Sequence, residues 1–125
     1  MNKIIMDLDG TLTVGTPGTA YLEQPPRKDV VEGLRQYKAK GYEIVIFTAR
    51  NMRTYDGCVG KINIHTLPII LDWLNMHEVP FDEVIVGKPW CGHEGFYVDD
   101  RAIRPDEFVN LNDEEIKAVI DAQVV

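Results

Sequence analysis

Asp7 and Asp9 stand one residue apart where the opening apolar run of the chain ends, within "IIMDLDGTLT", Ile4 to Thr13. Along an extended strand, residues two apart project to one side, so both carboxylates can face one centre, although the turn at Gly10 can rotate the second. Two like charges this close call for a cation. A hard divalent ion such as Mg²⁺ takes oxygen ligands and fills its remaining positions with water and phosphate, a preference that suits Asp7, Asp9, Asp99 and Asp100. Zinc would require imidazole or thiolate, and Cys91 and His93, although close in sequence, are not read as its ligands. Thr11, Thr48 and Lys88 add hydroxyl and ammonium donors, and such donors around a hard cation describe a site for a phosphoryl group. Asp7 is then the candidate nucleophile, attacking phosphorus in line to form an acyl phosphate, and Asp9 the candidate acid and, on the return step, base.

These residues need elements to carry them. Lys3 to Leu8 is almost continuously apolar, the pattern of a strand covered on both faces, and Gly10 lets the chain turn. Val30, Val31, Leu34 and Tyr37 recur at helical spacing between Lys28 and Lys40, with Gly41 where that helix ends. Ile44 to Phe47 form a second buried strand whose end carries Thr48, Ala49 and Arg50, three candidate substrate contacts. Leu67, Ile70, Leu71 and Leu74 share a helix face that Thr66 is positioned to cap, with Pro68 in the first turn. "EVIV", Glu83 to Val86, is a third strand running into Gly87 and Lys88, and Phe96 to Val98 a fourth ending in Asp99 and Asp100. Asn112 and Glu115 have capping-box spacing before the stripe Ile116, Val119, Ile120 of a last helix. Residues 13–26, rich in Gly, Pro and Thr, read as a flap of open role, and 51–63 as a mobile loop. Strands alternating with helices imply an open α/β sheet, whose ligands bind beyond the C-terminal strand edges.

Bulk properties narrow the classes. A chain of 125 residues fits one domain, taken as 1–125. With 45% hydrophobic residues and no apolar stretch near a membrane span, no membrane partner is expected. Asp7 and Asp9 interrupt the first apolar run before it can act as a signal peptide, so the cytoplasm is the expected location. A net charge of −7 repels a polyanion and counts against a nucleic-acid partner. Cys58 and Cys91 share no metal or redox spacing and read as reduced thiols.

"DLDGTLT" at Asp7 to Thr13, Thr48 in "IFTAR", Lys88 in "VGKP" and "VDD" at Val98 to Asp100 together resemble the four motifs of the haloacid dehalogenase (HAD) superfamily, in that family's order. The resemblance spans most of the chain. It implies a three-layer, Rossmann-like, mostly parallel sheet with helices on both faces and a phosphatase using Mg²⁺. By the same resemblance Asp7 is the nucleophile, Asp9 the acid/base, and Thr48 and Lys88 the phosphate contacts. The metal falls to Asp7, the Asp9 carbonyl and Asp100, with Asp99 supporting through water. Which of the last two touches the ion stays open. The intervals between motifs are too short for a cap domain, so the site is open and either accepts a large substrate or borrows walls from a neighbouring subunit, and a dimer or tetramer is expected. "FTARNMRT" and "KPWCGHEGFYVDDRAIRPDEF" are further similar to small phosphatases of bacterial capsule and surface polysaccharide synthesis, which points to a sugar phosphate or sugar acid phosphate.

Other readings compete. As a calcium loop from Asp7, the sixth position is Leu12 rather than Gly and the twelfth Gly18 rather than Glu, so that reading fails. A polynucleotide 3′-phosphatase is the enzymatic alternative, since "VDDR" resembles that branch also. A non-catalytic phosphate-binding module is the other. Arg50, Arg53 and Lys61 divide evenly between substrate contacts and surface charge, while Trp90 and the three histidines are assigned to packing or surface.

Overall fold

The computed structural model of the protein describes residues 1–123, and positions 124 and 125 of the expected domain lie outside it. The fold is α/β. The chain forms two compact units, Met1–Trp90 and a second from Cys91 onward. In the first, three parallel strands lie in the order β1 (Lys3–Met6), β2 (Glu43–Thr48), β3 (Glu83–Val86). Helix α1 (Lys28–Ala39) connects β1 to β2, and α2 (Val59–His65) and α3 (Leu67–Met76) connect β2 to β3. The second unit holds α4 (Pro105–Asn110) and α5 (Asp113–Asp121).

Strand β2 sits between two neighbours and buries Ile44, Val45 and Ile46. Within the first unit, β1 is not covered on both faces as its apolar run suggests. Met6 is buried, whereas Ile5 is 58% exposed and Ile85 on β3 is 45% exposed. Ile5 pairs with Val45 and Ile85 with Phe47, so the two exposed residues lie on one face of the sheet. An edge strand with one solvated face needs no continuous burial.

Helix α1 buries Val30, Val31 and Leu34, as its period predicts. Ile70 and Leu74 of α3 are buried with Trp73, whose indole N–H donates to the Gln24 carbonyl at 2.8 Å. Gln24 in turn ties the 13–26 segment together. Its side-chain oxygen accepts from Thr16 N–H at 2.9 Å and its amide donates to the Thr16 and Thr19 carbonyls at 3.2 and 2.7 Å. A bridge between Thr13 and Pro26 closes the base of this segment. The 51–63 segment is not loop throughout, because α2 begins at Val59 and anchors itself through buried Ile62. Thr66 stands at the start of α3 without capping it. Its hydroxyl donates to Asn51 Oδ1 at 2.7 Å, and its helical backbone joins α2 directly to α3.

In the second unit the box at α5 forms as its spacing predicts: Asn112 Oδ1 accepts from Glu115 N–H at 2.9 Å and Glu115 Oε1 from Asn112 N–H at 3.0 Å. Pro105 opens α4, where Glu107 accepts from Arg104 N–H at 2.8 Å. Phe96–Val98 is no strand here. Phe96 and Val98 are 78% and 87% exposed, and the second unit has no strand among its described residues. An apolar run becomes a strand only against a neighbouring edge. Cys58 and Cys91 are free, and among the described residues no helix is long and apolar enough to cross a membrane.

Asp82 fastens α1 to the sheet. Its carboxylate accepts from Lys38 Nζ at 2.7 and 2.8 Å and from Ile44 N–H at 2.8 Å. The Lys38 bond first, then the Ile44 bond, hold its pKa below the ordinary carboxylate value. A depressed folded pKa contributes stability that is present above the unfolded pKa and lost as pH falls through the folded one. Asp82→Asn is therefore expected to lower the urea midpoint at pH 7, with the gap to wild type closing below a pH of about 4. A gap of constant size from pH 7 to pH 3 would exclude the charged carboxylate as the cause.

Candidate active site

The candidate residues of the first unit follow the ends of its strands. After β1 the chain turns on Leu8, whose carbonyl accepts from the N–H groups of Thr11, Leu12 and Thr13 at 3.2, 2.9 and 3.1 Å. Gly10 supplies the left-handed conformation this turn needs, at φ 77°. The wrap brings Thr11 back over Asp7, and Thr11 Oγ1 donates to Asp7 Oδ2 at 2.9 Å. The other carboxylate oxygen of Asp7 faces Lys88 Nζ at 3.5 Å. Lys88 follows β3, so this contact joins the two outer strands across the end of β2. Its backbone helps to set the reach, since Lys88 N–H donates to the Thr48 carbonyl at 3.1 Å.

Asp9 is held differently. Arg50 Nε and Nη2 donate to its two oxygens at 3.0 and 2.8 Å, a bidentate pair. The Arg50 side chain is 1% exposed and that of Asp9 41%, so the guanidinium is buried and the carboxylate opens toward solvent. Arg50 lies 4.1 Å from the centre of the Tyr21 ring, and its Nη1 is buried without a hydrogen bond among the described residues. Burying a cation in this way is costly unless it is paired, and Asp9 with the ring face provides the pairing. Thr48 is buried, and its hydroxyl accepts from Arg50 N–H at 3.1 Å, fixing the bend that sends Arg50 to Asp9. Ala49 lies between them, its carbonyl accepting from Met52 N–H at 3.0 Å.

Asp7, Asp9, Thr11, Thr48, Ala49, Arg50 and Lys88 thus meet on one rim. Asp99 and Asp100 belong to the second unit, where Asp99 Oδ1 accepts from Arg101 N–H at 2.8 Å. Among the described residues, no group of three or more His, Cys, Asp or Glu side chains is gathered in a way that could hold a metal ion. Sequence patterns did not reveal Tyr21, which lies in an irregular segment with no period. Nor did they reveal that Arg50 is engaged with an acid 41 positions away. A second hollow, lined by Pro26, Val31, Glu32, Arg35 and His77, shares no residue with this rim.

Comparison with solved structures finds a crystal structure of a target protein from Vibrio cholerae at 61% identity and a TM-score of 0.95, covering 99% of this chain and 100% of that one. Two chains from structures of the Pnkp1/Rnl/Hen1 complex, one described as an RNA repair complex, are 18% identical with TM-scores of 0.52 and 0.53. They cover 68% and 89% of this chain but only 25% and 35% of their own lengths, a likeness of fold alone. No protein-family model matches the chain, and no curated protein does.

Gly87 sets the approach of Lys88. It has φ 88°, and a Cβ there would stand 2.9 Å from Val59 Cγ2. Gly10 has the same left-handed backbone with open space around it. Each Gly→Ala change is expected to destabilise by about 1–2 kcal/mol for the backbone alone. Gly87→Ala should lose more than Gly10→Ala, because β-branched Val59 yields poorly. Equal losses in denaturant titrations would show that the Val59 contact relaxes freely.

Proposed function

We propose, from the premise that this chain belongs to one family with the Vibrio cholerae protein, that it is a HAD-type phosphomonoester hydrolase working through an aspartyl phosphate. The fold would then be the three-layer, HAD-like one without a cap. The observation that carries this reading is the pairing of each motif acid with its own cation on one rim, Asp7 with Lys88 at 3.5 Å and Asp9 with Arg50 at 2.8 Å. Acids so arranged have distinct work.

Thr11 and Lys88 fix the Asp7 carboxylate from its two sides, which limits the rotations that would misdirect an attack. An Asp7 oxygen attacks phosphorus and the bond from phosphorus to the ester oxygen breaks. Asp9 gives its proton to that leaving oxygen. Water then attacks the aspartyl phosphate, Asp9 takes the water's proton, and the bond from phosphorus to Asp7 breaks to release phosphate. Lys88 pairs with the phosphoryl oxygens as Asp7 is consumed, and Thr48, Ala49 and Thr11 line the same rim. Arg50, which sequence suggested as a substrate contact, has both bonding edges toward Asp9 and acts in this reading by aiming that acid.

The acids of the rim are hard oxygen donors, with no imidazole or thiolate among the described residues gathered with them, and so fit Mg²⁺ in kind. Asp7 and Asp9 would hold it, with Asp99 or Asp100 as the remaining acids. When bound, the ion neutralises charge on the transferring group. The proposed substrate is a small phosphorylated sugar or sugar acid of polysaccharide synthesis, and the proposed location the cytoplasm. The fold likeness to chains of an RNA repair complex favours a second reading, a polynucleotide 3′-phosphatase, against which the net charge of −7 weighs.

Phosphate release from p-nitrophenyl phosphate is expected to require Mg²⁺, to vanish in Asp7→Asn and in chelator, and to slow about 10²- to 10⁴-fold in Asp9→Asn. No turnover across a broad panel of phosphorylated metabolites would replace the hydrolase with a phosphate-binding module. Faster hydrolysis of a 3′-phosphorylated oligonucleotide than of any sugar phosphate would reverse the order of substrates.

A further inference from the structure

The Arg50 guanidinium is buried but sparsely held. Nε and Nη2 are on Asp9, and Nη1 makes no hydrogen bond among the described residues. The remaining polar contact is the face of the Tyr21 ring, whose centre lies 4.1 Å from Cζ. A bidentate pair fixes the two groups relative to each other, yet both sit on rotatable stems and can swing together. The Asp9 side chain is 41% exposed, so the carboxylate alone cannot stop that motion. A ring laid on the guanidinium can, and its attraction for the cation is strongest where water is excluded, as it is around Arg50.

The ring in turn has a fixed base. Tyr21 opens a single 3₁₀ turn, Tyr21–Glu23, in which Glu23 N–H donates to the Ala20 carbonyl at 3.0 Å and Gln24 N–H to the Tyr21 carbonyl at 3.3 Å. Gln24 is the residue that ties the 13–26 segment together and receives the Trp73 indole. These bonds use backbone atoms and the Gln24 side chain, so the turn does not need the tyrosine ring to form. Nor is the ring a core group, since Tyr21 is 42% exposed. An aromatic side chain that neither folds its own turn nor fills the core, and that lies on the one buried cation of the rim, has its effect on that cation.

We infer that Tyr21 is a positioning residue for the acid/base step: its ring holds the Arg50 guanidinium in the orientation from which Nε and Nη2 aim the Asp9 carboxylate. The inference rests on the hydrolase reading, in which Asp9 gives a proton to the leaving oxygen and later takes one from water. Each transfer needs a carboxylate oxygen within hydrogen-bond reach of one particular atom. Tyr21 touches neither substrate nor reacting atoms in this role. Its loss is therefore felt in the rate of the chemical steps and not in substrate affinity, and is felt only while Asp9 is there to be aimed.

The test uses the full chain with p-nitrophenyl phosphate and Mg²⁺. Tyr21→Leu keeps an apolar side chain and removes the ring face, and is expected to lower kcat about 10- to 100-fold with KM within about twofold of wild type. Tyr21→Phe keeps the face and should stay within about twofold of wild type in both. In an Asp9→Asn background, Tyr21→Leu should cost less than about twofold further, because residues that act as one unit are not additive. Arg50→Lys keeps the charge and loses the fork, so it should lower kcat and likewise leave Tyr21→Leu little to add. If Tyr21→Leu does not fold, Tyr21→Met, equally without a ring face, is judged by the same criteria. The full loss recurring in the Asp9→Asn background, or a raised KM in place of a lowered kcat, would make Tyr21 a substrate contact and overturn the inference. So would a Tyr21→Leu chain with a lower urea midpoint and wild-type kcat, which would leave the ring a structural role only. Those results presuppose an active wild type and leave the hydrolase reading standing, whereas a wild type that turns over nothing removes that reading and this inference with it.

Discussion

The contact between Lys88 and Asp7 depends on the parallel register of three strands. β1 and β3 are never neighbours, and 81 positions separate the two residues. They meet because the strands are parallel and in close register, Met6 level with Ile46 and Thr48 with Val86, so the C-terminal ends of all three strands lie at one edge of the sheet. An antiparallel β3 would send Lys88 to the opposite edge. The same register lets Thr48 accept from Arg50 with its hydroxyl and from Lys88 with its carbonyl, so one buried residue sets the approach of both cations. The hydrophobic burial of β2 that fixes this register therefore also sets the polar geometry at its end.

The two cations are not equivalent. Arg50 is buried and bidentate, stacked on Tyr21, and a planar guanidinium in that setting has one orientation. Lys88 is a single ammonium on a flexible stem at a longer 3.5 Å, with 19% of its side chain exposed. In the proposed reaction, a rigid partner suits an acid that must keep its aim through two proton transfers, and a compliant one suits a nucleophile whose charge is spent and restored. The 13–26 segment belongs to the rigid side of this division. Tyr21 lies within it, Gln24 closes it internally, and Trp73 of α3 fastens it from outside.

Elements with a strong local signal were legible in the sequence. The helical period of Val30, Val31 and Leu34 located α1, four consecutive apolar residues located β2, and the Asn112–Glu115 spacing located the start of α5. What escaped notice depended on partners distant in sequence. α2 is seven residues long, contains Gly60, and is held by one buried side chain, so its period is too short to register. The Thr66 hydroxyl has a cap's position and a different partner, Asn51. Phe96–Val98 has the composition of a strand, but composition does not supply an edge to pair with. At the candidate site, residue types pointed to Asp7, Asp9, Thr48 and Lys88, which the structure places at neighbouring strand ends, while the pairing of Arg50 with Asp9 and the Tyr21 stack exist only after folding.

Electrostatics on two length scales bear on substrate size in the proposed reaction. On the rim itself two carboxylates face two cations, so the nearest charges cancel and a single phosphate meets little local repulsion. Over the whole molecule the net charge is −7. Its field is screened over about 8–10 Å at moderate ionic strength, so a small phosphomonoester entering the rim feels mainly the balanced cluster. A polynucleotide extends well beyond that distance and must lay further phosphates along an acidic surface, with a free energy cost that grows with each one.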